Sequence, residues 1–274
     1  MDNRTIGIEV EMTGIPRAEA LQVAARALRA TKISDKPPNY ALLDCAGRKW
    51  RVDYDDSILL LKNTESGLIP TVDEAYAIEL VSPVLAVGQV ETYACVVAEL
   101  ARAGAVASET CGLHVHIGGA GHTAESVRRL VAISHGYGAR LMAALGINRK
   151  RLPWCGFPSD ELAARMAALR SPTMAEVEAA WYRGNKAGRK RLGNPIRRQF
   201  VNLHEFFCGI GTVEYRGFNA TLVPAEIEKC AGMALALDGA ARTGDFGGLE
   251  AMLPAVADEQ GHGLPPKPKI RFAR

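Results

Sequence analysis

The sequence predicts an α+β fold with a largely antiparallel sheet. Two observations point there. Segments of period-two alternation and segments of helical spacing are mixed without a regular βαβ rhythm, and no Gly-rich phosphate loop follows the first strand. The chain has 274 residues, 48% hydrophobic and 23% charged, an ordinary globular composition that argues against global disorder. A chain of this length buries about three-quarters of its unfolded surface, so it needs no disulfide or metal to fold. We expect one catalytic domain over residues 1–245 and a C-terminal extension over 246–274, ending in a loose Pro- and Lys/Arg-rich tail.

Residues 5–13 alternate cleanly: Ile6, Ile8, Val10 and Met12 share one face, Gly7, Glu9, Glu11 and Thr13 the other, as in a half-buried strand. Pro16 opens a helix over about 17–31, with Leu21, Ala24, Ala25 and Leu28 at helical spacing. Residues 34–47, holding Pro37, Pro38 and Asn39, read as loop. Short strands are expected at 50–52 and 58–61 around the polar cluster Asp53, Asp55, Asp56 and Ser57, then a turn at 63–70 and a strand at 75–82 stopped by Pro83. A helix follows at about 88–103, a strand at 113–118 and a helix at about 123–145. Residues 149–158 look irregular, and short helices follow near 160–169 and 173–182. Strands are expected at 199–203 and 212–218, and a helix at about 224–242.

The net charge of +3 does not by itself point to nucleic acid. The basic run 183–198 contains seven Lys or Arg residues and no acid; it reads as a solvated segment or as a surface for nucleotide, acidic substrate or nucleic acid. Six cysteines stand singly, without CxxC or metal-site spacing, which fits reduced thiols. No apolar run approaches the roughly 20 residues that cross a bilayer, and the start MDNRTIGIEVEMTG lacks the charged-then-apolar pattern of a signal peptide. A cytoplasmic protein that does not engage membranes is the expectation.

Strand segments carry the chemistry. Glu9 and Glu11 sit two apart, so both carboxylates project from one strand face. They form either a solvated outer face or ligands for a hard cation that offsets their repulsion. His114 and His116 share a face opposite Leu113, Val115 and Ile117, as packed histidines or as contacts to a metal and a phosphate. The glycines Gly112, Gly118 and Gly119 around them suggest close approach of backbone or ligand. Glu214 and Arg216 are either an ion pair or a metal-binding carboxylate beside a phosphate-contacting guanidinium. Glu79 is a lone carboxylate in an apolar run, and Asp55 and Ser57 add polar groups near the strands. Four acids and an imidazole suit Mg²⁺ with nucleotide phosphates better than a structural zinc site, which favours Cys.

In this order, GIEVE, the run with Trp50, Val52, Asp55 and Ser57, ELVSP (79–83), CGLHVHIG and VNLHEFF…TVEYRGFN resemble the amidoligase family, within the carboxylate–amine ligase superfamily of glutamine synthetase and γ-glutamylcysteine synthetase. The resemblance spans about residues 5–240. It implies a glutamine synthetase-like fold: a curved, largely antiparallel sheet with the active site on one face and helices on the other. It implies Glu9, Glu11, Glu79, His114 and Glu214 as ligands of Mg²⁺ or Mn²⁺, and His116, Arg198, Arg216 and Ser57 as ATP-binding residues. Arg216, Glu214 and Asp55 would act in catalysis. One departure is Asp56, which stands where the family often has glycine.

The implied reaction is ATP-dependent amide formation from a small-molecule or peptide carboxylate and an amine, through an acyl phosphate. Residues 149–158 and 183–198 are candidates for a covering flap. A metal-dependent hydrolase is the first rival, because HxH with carboxylates also activates water. A nucleic-acid-binding module using 183–198 is the second, disfavoured by the small net charge.

Overall fold

The computed structural model describes residues 3–37, 39–184 and 195–253. The chain divides into two compact units, one of residues 1–116 and 218–231, the other of residues 117–217 and 232–274. Both are mixed α/β. A large antiparallel sheet and its helices make up the first.

In the first unit β1 (Thr5–Met12) is followed by α1 (Arg17–Ala27), the strands β2 (Lys32–Lys36), β3 (Asn39–Leu43), β4 (Lys49–Asp53), β5 (Leu61–Thr64), β6 (Gly67–Pro70), β7 (Ile78–Val81) and β8 (Leu85–Ala86), helix α2 (Val90–Arg102) and strand β9 (Gly112–Gly118). Its sheet runs β9-β1-β7-β4-β3-β2, with β8 on β1 and with β5–β6 as a separate hairpin. The ladders β2–β3, β3–β4, β4–β7, β7–β1 and β1–β8 are antiparallel.

The alternation read from residues 5–13 is what the strand uses. Ile6, Ile8, Val10 and Met12 are buried, as are Ile78 and Leu80 on β7 and Trp50 and Val52 on β4. Helices α1 and α2 pack together, and α1 lies against β3 and β4. The Trp50 ring stacks on Tyr93 of α2 at 5.9 Å, so the apolar sheet face carries the helices.

Trp50 also fixes a polar group in this core. Its indole N–H donates to Asp44 Oδ2 at 3.0 Å, while Arg48 Nε donates to the same oxygen and the Ala46 and Arg48 amides donate to Oδ1. Burial pushes the Asp44 carboxyl up, but these donors outweigh it and hold the group below its usual value.

Three expectations are corrected here. Residues 34–47 are not loop: they contain most of the β2–β3 hairpin, because Leu42 alternates into the core and Pro37 lies in the turn after β2. The strand expected at 58–61 begins only at Leu61, since Ile58 leaves the ladder to pack with Ala77 and Cys111. It then pairs with β6, so 63–70 is a hairpin and not a simple turn.

In the second unit the helix expected at 123–145 is two, α3 (Ala124–Gly136) and α4 (Gly138–Leu145). Tyr137 sits between two glycines at φ −102°, ψ 4°, outside helical geometry. The Phe157 ring lies 3.0 Å from where a Gly138 side chain would begin. Residues 149–158 hold a 3-10 turn and α5 (Leu152–Cys155), followed by α6 (Asp160–Ala168) and α7 (Met174–Trp181). Strand β10 (Val201–Asn202), helix α8 (His204–Cys208) and strand β11 (Thr212–Asn219) come next. Helix α9 (Pro224–Thr243) and helix α10 (Gly247–Met252) complete the described chain. Glu250 of α10 accepts from Tyr137 Oη and Arg140 Nη1, both at 2.6 Å, so residues 247–252 are anchored to α4. The tail at 265–274 lies outside the described residues. No described helix is long and apolar enough to cross a membrane.

Asp44→Ala strands the Trp50 and backbone donors and is expected to cost about 1–3 kcal/mol in urea unfolding. Because the folded-state value of Asp44 is depressed, its contribution is full above about pH 4, the unfolded value, and is lost as pH falls through the folded one. The mutant's deficit should therefore shrink in acid.

Candidate active site

The face of β1 opposite the core carries Glu9 and Glu11, and its neighbours add more carboxylate. In the ladders Glu11 lies directly across from Glu79, and Glu79 directly across from Asp53 on β4. Like charges at directly opposed positions repel, and burial denies them water. Glu11 is 4% exposed.

Within the first unit Arg51 Nε pairs with Asp53 at 2.8 Å, and the groups facing the glutamates come from β9. The Gly112 amide donates to Glu11 Oε2 at 2.6 Å. His114 stands among three acids: Nδ1 is 3.3 Å from Glu9 and 3.7 Å from Glu79, and Nε2 is 3.5 Å from Glu11. His116 Nε2 is 3.5 Å from the other oxygen of Glu9. Glu11, Glu79 and His114 each present a ligand atom within 4.8 Å of the others, the spacing of a cation site.

The carboxyls divide electrostatically. Burial raises Glu9, but the charges and hydrogen bonds of His116 and His114 outweigh it and hold Glu9 well below the usual range. For Glu79 the His114 imidazole, 3.7 Å away, does not outweigh the opposing effects. Burial pushes this carboxyl well above the ordinary value, and Glu9, Glu11, Asp55 and Asp53 push it further. A divalent ion would reverse that balance, and a donor set of carboxylate oxygens with one imidazole suits Mg²⁺ or Mn²⁺.

Asp55 and Ser57 follow β4 in a tight turn, where Asp55 Oδ1 accepts from Ser57 N–H at 2.7 Å and Ser57 Oγ at 2.5 Å. Asp56 is exposed. Cys111 is buried with Ile58 and Ala77, a core position. All six cysteines are free.

The second unit carries Glu214 and Arg216 on β11. Arg216 Nη1 donates to Glu214 Oε1 at 2.9 Å, and Asn202 Nδ2 on β10 donates to Oε2 at 2.5 Å. Arg198 is exposed just before β10. At Gly119 the close approach anticipated from the glycines is to backbone: its N–H donates to Gly211 O at 2.8 Å, and a Cβ would lie 2.5 Å from that oxygen. Of the basic run, residues 185–194 lie outside the described residues. Arg183 pairs with Glu161 and Arg197 with Glu205, so those two charges are matched by acids from elsewhere in the sequence.

Sequence reasoning missed two residues. Asp53 reads as part of a polar cluster, yet the alternation Trp50-in, Arg51-out, Val52-in puts it on the face that holds Glu79. Asn202 had one weak signal, a lone amide inside the apolar run 200–203.

A family model described as putative amidoligase enzyme matches residues 2–237, and the chain belongs to that family. Comparison with curated proteins gave no match.

Glu79→Gln should raise the metal-free melting temperature at neutral pH. The folded-state value of Glu79 is raised, so in wild type stability is lost as pH climbs above the unfolded value near 4.3 and through the folded one. The amide removes that loss. A gain of a few degrees is expected, the scale of about 1 kcal/mol in a chain of this length, and a fall would contradict the electrostatic account.

Proposed function

We propose that this amidoligase-family chain is an ATP-dependent carboxylate–amine ligase. The observation that carries the reading is the convergence of Glu11, Glu79 and His114 within 4.8 Å on a face where burial and neighbouring acids leave Glu79 short of positive charge. Such a face is costly to keep without a cation.

Glu9, Glu11, Glu79 and His114 would hold Mg²⁺ or Mn²⁺, which when bound offsets phosphate charge. Glu214 keeps the metal-ligand role, and Arg216 the phosphoryl-stabilising role, that the family resemblance implies. His116, Ser57 and Arg198 are assigned to nucleotide, and Asp55 to catalysis, on the same ground. The fold is assigned to the glutamine synthetase-like class because an antiparallel sheet presents acids on one face and packs helices on the other.

In the proposed reaction a substrate carboxylate oxygen attacks the γ-phosphorus of ATP and the bond to the β-phosphate oxygen breaks, releasing ADP. An amine nitrogen then attacks the acyl phosphate carbon, phosphate leaves and the amine gives up a proton, leaving an amide. Both steps ask for positioning and charge stabilisation, which a guanidinium such as Arg216 supplies. The acceptor and donor are a carboxylate and an amine of a small molecule or peptide.

The test needs neither substrate. Ligand at about 100 times its Kd stabilises by about 2.7 kcal/mol, a rise of several degrees. Saturating Mg-ATP should raise the melting temperature of wild type, and Glu11→Gln should abolish the rise. With that result, acid–amine pairs are screened for ADP release. No rise at any Mg²⁺ or Mn²⁺ level would sink the ligase reading and bring the metal-dependent hydrolase forward.

A further inference from the structure

Asn202 is completely buried, in the two-residue strand β10, between the buried apolar Phe200, Val201 and Leu203. A buried amide must satisfy both its ends, and here each end is committed. Oδ1 accepts from the His204 N–H at 2.9 Å, the turn that starts α8. That contact settles the orientation of the amide, since the opposite one would set an NH₂ against an N–H. Nδ2 is thereby aimed across the ladder, where Asn202 pairs directly with Glu214, and donates to Glu214 Oε2 at 2.5 Å. Arg216 grips the other oxygen at 2.9 Å.

We propose that Asn202 is a positioning residue for the proposed ligase: it holds the Glu214 carboxylate in the plane needed to meet a divalent cation. A carboxylate on three rotatable bonds has many orientations, and one donor on each oxygen selects one of them. Arg216 holds one oxygen and the Asn202 amide the other, and the pair of bonds opposes rotation of the carboxylate. Partners of this kind orient metal ligands and, when removed, cost about 10- to 100-fold in metal affinity. Asparagine suits the task because it donates without adding a charge beside Glu214, and its own orientation is locked by backbone. The inference rests on the metal role assigned to Glu214 above.

The competing account is that Asn202 only caps the turn into α8. Asn202→Ser separates the two, because a serine hydroxyl accepts from the N–H two residues on but is too short to reach Glu214. Asn202→Thr does the same with a better strand former and serves if the serine variant folds poorly. Mn²⁺ binding is measured directly at 20 °C by the paramagnetic signal of the free ion, on full-length wild type, Asn202→Ser, Asn202→Thr and Glu214→Gln. Metal-free melting curves check that each is folded.

The expected result is a rise of about 10-fold or more in half-saturating Mn²⁺ for whichever Asn202 variants fold, in the same direction as Glu214→Gln. Wild-type affinity in a folded Asn202 variant, with Glu214→Gln weakened, overturns the positioning role and leaves the ligase reading intact. Wild-type affinity in Glu214→Gln removes the group that Asn202 is said to position and overturns the inference through Glu214. Wild type that binds no Mn²⁺ overturns both. Failure of both Asn202 variants to fold assigns the residue to the turn and also overturns it.

Discussion

The first unit is organised by one electrostatic conflict. Period-two alternation on β1 and β7 sends Ile8, Val10, Ile78 and Leu80 into the core and must send Glu9, Glu11 and Glu79 to the opposite face. Antiparallel register then sets Glu11 against Glu79 and Glu79 against Asp53. Slipping either strand by one residue would relieve the acids but turn the apolar residues outward, at a far greater cost. The hydrophobic effect therefore enforces a concentration of negative charge that the charges alone oppose.

His114, His116 and the Gly112 amide relieve part of the conflict and leave part of it. Glu9 has two imidazoles and remains readily ionised, whereas Glu79 faces four acids and resists ionisation. An incomplete local neutralisation is common where a site is completed by something outside the chain. The chain belongs to the amidoligase family, and the reaction proposed for it, joining a carboxylate to an amine with ATP, would bring phosphates and divalent ions together.

The second unit handles buried charge differently. Glu214 is enclosed, but each of its oxygens has a donor from a residue on β10 or β11, so the chain itself organises the carboxylate. Close backbone contact supports that strand. A side chain at Gly217 would run into the Phe200 ring, 1.9 Å from its nearest carbon, so glycine at the strand's centre lets the aromatic core close over it.

Much of this was legible in the sequence. Strict alternation at residues 5–13 and 113–118 identified β1 and β9 and their reactive faces, because side-chain direction in a strand is a local property. The helices at 17–27 and 90–102 were legible from their spacing for the same reason. The hairpin at 32–43 was hidden, since its prolines signal a turn and Leu42 is the only deeply buried one among its described residues. The break at Tyr137 was hidden too, because flanking glycines weaken a helix without deciding where tertiary packing will split it. By itself the sequence determined which residues share a face, through backbone geometry that needs no partner. Only the tertiary structure decided that Glu11 opposes Glu79, that His114 stands among three acids and that Asn202 grips Glu214, because strand register and long-range contact depend on how the whole core packs.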